Sequence, residues 1–287
     1  MPKTKLCLGL LSDFCEDDEK QIFMIRDAGF NEIFFSFTDR ETLKKQTNAA
    51  LKAGLTVRSV HAPYGGCRAL WENDEEEAKK AADEIIKCIH ACAENNVPIM
   101  VSHAFIGFDV PPIPVEKGLQ RYYELITEAR KYGVTIAFEN TEGEEYLDAL
   151  LKNFGDLENV GFCWDSGHEM CYNRGADLLK KYGKLLVCTH INDNLGIKDT
   201  GGKTTWRDDL HLLPFDGIID WEYNARRLVR ENYVGTLTFE LKIASKPGRH
   251  ENDIYALMSP ESYLAEIYKR ACRFEALVYR AKGRLEA

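Results

Sequence analysis

Four stretches of this chain share one form, and together they leave few folds open. Thr135-Ile-Ala-Phe-Glu139-Asn140-Thr141 starts apolar and β-prone and ends on a carboxylate. Val160-Gly-Phe-Cys-Trp-Asp165-Ser-Gly-His168 ends on an acid and a histidine, Leu185-Leu-Val-Cys-Thr-His190-Ile-Asn-Asp193 on a histidine, and Gly235-Thr-Leu-Thr-Phe-Glu240-Leu-Lys242 on an acid. Each reads as a short buried strand whose last inward residue can bind a cation. Strand ends so far apart in sequence meet only if the strands lie side by side and parallel. A (β/α)8 barrel gathers its active site in this way, at the C-terminal rim.

The rest of the chain fits that frame. Further strands are expected at Leu6–Ser12, Glu32–Phe37, Thr56–His61 and Pro98–His103. Helices are expected at Glu16–Ala28, Thr38–Ala53, Asp74–Asn95, Val115–Tyr132, Glu144–Leu151, Gly175–Tyr182, Asp220–Glu231 and from Ser259 to Lys282. Gly29, Gly54 and Gly133 act as helix stops. Strands and helices alternate eight times with no composition break that would mark a linker, so residues 1–287 read as one TIM-barrel domain. In the last strand Thr236, Thr238, Glu240 and Lys242 share one face, and Leu237, Phe239 and Leu241 the other. The polar set therefore points to the barrel axis, where Glu240 meets Glu139. Asn194–Gly217 carries Gly196, Gly201, Gly202 and Pro214 and has no apolar period; a loop this long in a compact domain is usually functional.

Composition narrows the function. With 45% hydrophobic and 29% charged residues, the chain can fill one large core. A formal net charge of −9 argues against a nucleic-acid surface, which needs clustered Lys and Arg. The nine cysteines are an odd number and contain no Cys-x-x-Cys pair, which points to free thiols in a reducing compartment, the cytoplasm. The apolar run Leu6–Leu11 is too short for a secretory leader, and no run approaches a membrane span.

Glu139, Asp165, His190 and Glu240 supply three carboxylates and one imidazole. Three acids packed together in a poorly solvated pocket need a compensating cation. Oxygen-rich ligation with one nitrogen and no thiolate suits one divalent ion, Mn²⁺ first, with Mg²⁺, Co²⁺ or Zn²⁺ also able to fill it. Five of the seven histidines fall at expected rim positions. Besides His190 these are His61, His103, His168 and His211, placed to hydrogen-bond a polyhydroxylated ligand. His90 and His250 fit no such position and read as a helix-face and a loop residue. Tyr64, Trp164 and Trp206 could stack on a sugar ring or simply pack; Trp164 points outward.

With these motifs in hand, the chain resembles the xylose isomerase-like barrel superfamily over nearly its whole length. That superfamily includes ketose 3-epimerases, hydroxypyruvate isomerases, inosose dehydratases and type IV apurinic endonucleases. The resemblance is carried by Phe-Glu139-Asn-Thr, Trp-Asp165-Ser-Gly-His168, Thr-His190-Ile-Asn-Asp, Asp209-Leu-His211 with Ile-Ile-Asp220-Trp221, and Phe-Glu240. It implies a mononuclear metal site on Glu139, Asp165, His190 and Glu240, with Glu139 and Glu240 also the acid/base pair. The activity implied is isomerisation or epimerisation of a small carbohydrate, by proton transfer next to a carbonyl through an enediolate. Such chemistry is physically sensible, because a cation stabilises the enolate charge and carboxylates on opposite sides can remove and return the proton.

Departures from the superfamily bear on the substrate. Ketose 3-epimerases carry an Arg soon after the histidine ligand; here Asn192, Asp193 and Asn194 follow His190. The Lys198–Asp209 insertion supplies Lys203, Trp206 and Arg207, which are expected to bind substrate with Asp209 and His211. Pro214-Phe-Asp-Gly217 replaces a Pro-Gly-x-Gly turn. A bulkier substrate such as a keto-glycoside would suit the larger loop, and a lyase subunit cleaving an oxidised glycoside with a partner chain is one alternative. The other is a zinc-dependent apurinic endonuclease, since His61, His103, Glu139, Asp165, His168, His190, Asp209, His211 and Glu240 stand in order where those enzymes hold three metals. Their Asp-Arg-His pattern is Asp209-Leu-His211 here. A homo-oligomer or a partner subunit is left open.

Overall fold

Alternating apolar and amphipathic segments give a nearly closed barrel with helices outside it. The computed structural model describes residues 4–12, 14, 15, 17–109, 113–197 and 203–285. The helix start expected at Glu16, and Lys198, Gly201 and Gly202 of the long loop, lie outside those residues. The strands are β1 (Leu6–Gly9), β2 (Glu32–Ser36), β3 (Thr56–His61), β4 (Ile99–His103), β5 (Thr135–Glu139), β6 (Val160–Asp165), β7 (Leu186–His190) and β8 (Leu237–Phe239). The helices are α1 (Asp18–Ala28), α2 (Arg40–Ala53), α3 (Glu75–Glu94), α4 (Glu116–Lys131), α5 (Glu144–Phe154), α6 (Ser166–Cys171), α7 (Leu178–Tyr182), α8 (Trp221–Arg230) and α9 (Pro260–Leu285). The sheet order is β7-β6-β5-β4-β3-β2-β1-β8, with every pairing parallel.

Closure between β7 and β8 is made by the residue just past the rim. Ile191 N donates to Thr238 O at 2.7 Å, and Glu240 N donates to Ile191 O at 3.3 Å. β8 is shorter than expected, and Glu240 sits one residue beyond it. The chain peels away there because its next groups pair with loops: Lys242 N donates to His211 O, and Asn252 Nδ2 and Tyr263 Oη donate to Lys242 O. The expected alternation survives, with Leu237, Phe239 and Leu241 in the main core and Thr236 and Thr238 on the other face.

Local chemistry places the helices. Asp17 accepts from Glu19 N and Lys20 N, Asp39 from Thr42 N, Asp74 from Glu76 N and Glu77 N, and Asp220 from Tyr223 N, each satisfying amides that a helix leaves bare. Gly54 ends α2 at φ 79°, a conformation that costs glycine little. The main core lies between strands and helices; a smaller cluster of Ile99, Val101, Ala137, Cys163 and Cys188 lies apart from it. Strands covered on both sides explain their near-continuous apolar runs. Among the described residues no helix is long and apolar enough to cross a membrane.

Helix α6 was not expected, since Ser166-Gly167 shows no helical period. Asp165 builds it by accepting His168 N at 2.6 Å. A side chain at position 167 would meet Asn192 Oδ1 at 1.9 Å, so glycine is needed for the close approach.

Candidate metal centre

The ends of β5, β6, β7 and β8 bring Glu139, Asp165, His190 and Glu240 together. One ligand atom from each lies within 4.8 Å of the others. Glu139, Asp165 and His190 are buried, whereas the Glu240 side chain is 23% exposed and is the member that opens to the mouth. His190 Nδ1 lies 2.6 Å from Glu139 Oε1 and 3.1 Å from Glu240 Oε2. Phe34 stacks on the His190 ring at 4.9 Å and fixes its plane.

Glu139 is the hub. Its Oε2 faces His61 Nε2 at 3.2 Å and His103 Nε2 at 3.1 Å. His61 Nδ1 faces Ala62 O at 2.8 Å, and a carbonyl can only accept. A neutral ring cannot donate from both nitrogens, so His61 is either an imidazolium or shares a cation with Glu139. Burial opposes ionisation of Glu139, but the His190 charge and hydrogen bonds from His103, His190 and His61 hold its carboxyl well below the usual range. Glu240 is likewise held down, against burial, by His190 and His211. At Asp165 burial, with the charges of Glu139 and Glu240, outweighs the pull of His168 and His211 and pushes the carboxyl up to about 6.

A third group adjoins on the loop side. His211 Nε2 lies 2.9 Å from Asp209 Oδ2, and His168 Nε2 lies 3.4 Å from Asp209 Oδ1. Each ring turns its Nδ1 to a carbonyl, His168 to Asn140 O at 3.0 Å and His211 to Glu240 O at 3.2 Å. A carbonyl behind an imidazole is the usual support for a metal-binding nitrogen. His211 holds φ 50°, an uncommon value for a residue with a side chain, at the place where its ring must turn inward. Lys246 Nζ lies 3.4 Å from Asp209 Oδ2 and already brings a positive charge there.

The donor set fits a divalent cation. Three carboxylates converge on one point, two of them fully buried, and buried anions are stable only when paired. Several imidazole nitrogens face carboxylate oxygens at hydrogen-bonding distance, where a neutral acceptor nitrogen would repel them.

Every site residue expected from the sequence and described here falls on this rim except Lys203, Trp206 and Arg207, which stand to one side. Trp206 is 48% exposed. With Phe108, Glu142, Tyr172, Arg174, Lys203 and Arg207 it lines an open groove of about 740 Å³. Tyr172 joins groove to centre by stacking on His168 at 4.9 Å. Tyr64 stacks on His103 at 4.8 Å, so it too is at the rim. Trp164 is buried in the main core under Arg227, which settles it as packing. His90 pairs with Glu128 on the helix layer and His250 with Asp253 on an exposed loop, both away from the mouth.

Some residues that shape the site carry little signal in the sequence. Asn140 accepts Asp165 N at 2.8 Å and donates to Asp165 O at 2.9 Å, and Asn192 Nδ2 donates to Asp165 Oδ2 at 2.8 Å. Their signal was position, one and two residues after a candidate ligand. Asp193 accepts from Asn194 N, Phe215 N, Ile219 N and Trp221 Nε1, and so pins both ends of the long loop. Lys246 follows β8 in irregular chain and had no signal.

Comparison with known proteins agrees with the fold. The y4fM protein of Sinorhizobium fredii, itself uncharacterized, is 27% identical over 299 residues, spanning 91% of this chain and 89% of its own length. A probable endonuclease 4 of Methanosphaerula palustris is 24% identical over 157 residues, 51% of this chain and 54% of that protein. Among solved structures, the apo form of 3-keto-D-glucoside 4-epimerase (YcjR) from E. coli has a similar fold, with TM-score 0.66 and 18% identity over 93% of this chain and 100% of that one. A family model described as xylose isomerase-like TIM barrel matches residues 23–259, well over half of the sequence, and the chain therefore belongs to the xylose isomerase-like TIM barrel family.

Proposed function

We propose that this protein is a metal-dependent isomerase or epimerase of a small carbohydrate, moving a proton on the carbon next to a carbonyl. The observation that carries the reading is the convergence of Glu139 and Glu240 with Asp165 and His190 at the barrel mouth, Glu240 being the carboxylate open to a ligand. A bound divalent ion, Mn²⁺ by donor chemistry, would supply positive charge for the substrate oxygens beside the reacting carbon. Glu240 and Glu139 are both held ionised in the free protein, so either can accept a proton from one face of that carbon; inversion requires the other to carry a proton when substrate is bound and to give that proton to the opposite face. His61 and His103 keep the Glu139 carboxylate in place. His168, Asp209 and His211, with Trp206 and Arg207 at the groove, bind the hydroxyl groups and the remainder of the substrate.

One observation favours a second reading. The groups His61–His103–Glu139 and His168–Asp209–His211 flank the four-ligand group, and Glu139 belongs to two of the three. That pattern could hold three cations and cleave a phosphodiester at an abasic site. Two features weigh against it. Lys246 supplies charge at Asp209 without a metal. The groove mixes Asp109, Glu142 and Glu145 with Arg174, Lys203 and Arg207, which gives a polyphosphate no excess of cations. A lyase acting on an oxidised glycoside would use the same residues. Metal analysis after loading with Mn²⁺ or Zn²⁺ tests the choice. One tightly held ion per chain, with no nicking of an abasic duplex, is expected; three ions with nicking would replace the sugar reading.

A further inference from the structure

His190 has a second chemical face, turned into the barrel. Cys163 and Cys188 are register partners on β6 and β7, and both are buried. The ladder shifts between Phe162 and Cys163, and that irregularity brings Cys188 opposite Cys163. Their two Sγ atoms and a ring nitrogen of His190 lie within 4.8 Å of one another. His190 Nδ1 is taken up by Glu139 and Glu240. His190 Nε2 is buried with no oxygen or nitrogen partner, and the thiols of Cys163 and Cys188 are the groups that approach His190 on this side.

Buried cysteines commonly act as small apolar fillers, and these two do pack with Ile99, Val101 and Ala137. Filling alone leaves the Nε2 atom with nothing better than a thiol, a weak partner for a polar atom in a dry interior. The donor set also differs in kind from the one above it: two sulphurs and one nitrogen, against three carboxylates and one nitrogen. Arg58, whose Nη2 donates to Val187 O at 3.1 Å, sets a guanidinium beside the same strand, which is the compensation that buried thiolates require.

We propose that Cys163, Cys188 and His190 Nε2 form a separate cation site inside the barrel, selective for soft thiophilic ions of the Cu⁺, Cd²⁺ and Hg²⁺ class, which shares one imidazole with the four-ligand group at the rim. Thiolates choose soft ions, and carboxylates choose harder ones. Loading the inner site sends the two thiol protons and the Nε2 proton to solvent. It also draws His190 away from the rim group, so the two sites oppose each other. Soft ions would then inhibit from beneath the mouth, without displacing the rim ion directly. The proposal holds whatever the substrate is.

The test uses the full chain saturated with Mn²⁺ and titrated with Cd²⁺, followed by the thiolate-to-cadmium charge-transfer absorbance. One absorbing Cd²⁺ per chain is expected, accompanied by at least about a tenfold weakening of Mn²⁺ binding, the size of effect that outer partners of a ligand have. The signal should vanish in Cys163→Ala/Cys188→Ala and persist in Cys88→Ala, which removes the neighbouring thiol pair Cys88–Cys92 on α3. No signal from the natural protein, a signal that survives the double substitution, or unchanged Mn²⁺ affinity would overturn the proposal. Should the double variant not fold, X-ray absorption at the cadmium edge of the natural protein decides instead: two sulphurs with one nitrogen support the site, and any other sulphur count overturns it.

Discussion

Glu139 and Glu240 stand at the ends of strands on opposite sides of His190, yet they differ in what they can do. Glu139 is enclosed by four imidazoles, whereas among the described residues Glu240 meets two, those of His190 and His211, and reaches the mouth. Glu240→Gln should therefore keep the fold and lower turnover by about a hundredfold to ten-thousandfold, the range of a lost acid/base group. His90→Ala, on the helix layer, should leave turnover unchanged. Steady-state kinetics on both variants, with circular dichroism as the folding control, checks the pair. Asp165 gives a second prediction at this scale. Its proton, held up to about pH 6 by burial, must leave before a cation binds. Through this group, cation affinity should thus fall by up to about tenfold for each pH unit below 6, and by little above it. His190, held above its usual range by Cys163, Glu139 and Glu240 in spite of burial, steepens the fall in the same direction. Calorimetric titrations in buffers of different ionisation enthalpy read both the affinity and the protons released.

At the scale of elements, the strand ends were legible because both faces of a barrel strand are constrained. The inner face must place a polar group at the rim, and the outer face must stay apolar against helices. β3, β5 and β6 fall on the expected residues for that reason. β8 was read too long, because its alternation continues through Lys242 after its hydrogen bonds have passed to loops. Helix α6 and the order in the long loop were illegible, since each depends on a partner distant in sequence. Asp193 shows the point: its neighbours predict nothing, but its carboxylate gathers donors from residues 194, 215, 219 and 221. Asp193→Ala would strand those donors and should cost about 3 kcal/mol or more. The damage should be local, with faster amide exchange in residues 203–219 and weaker placement of Asp209 and His211. Unchanged exchange in that segment would remove Asp193 as its anchor.

At the scale of the whole molecule, the barrel joins side chains that the sequence spreads from His61 to Glu240, and closure through Ile191 holds the last of them in register with the first. Which groups meet at the mouth follows from the architecture; what they bind follows from their chemistry. The fold is shared with proteins of several activities, so it is the paired carboxylates that must carry the functional claim. Solvent isotope exchange addresses that claim most directly. The Mn²⁺-loaded protein is incubated in deuterated water with a panel of ketoses and keto-glycosides, and each is examined by NMR for deuterium on the carbon beside the carbonyl. Incorporation into at least one member is expected, slowed by about a hundredfold or more in Glu240→Gln. No incorporation into any member, with the cation bound and the protein folded, would contradict it.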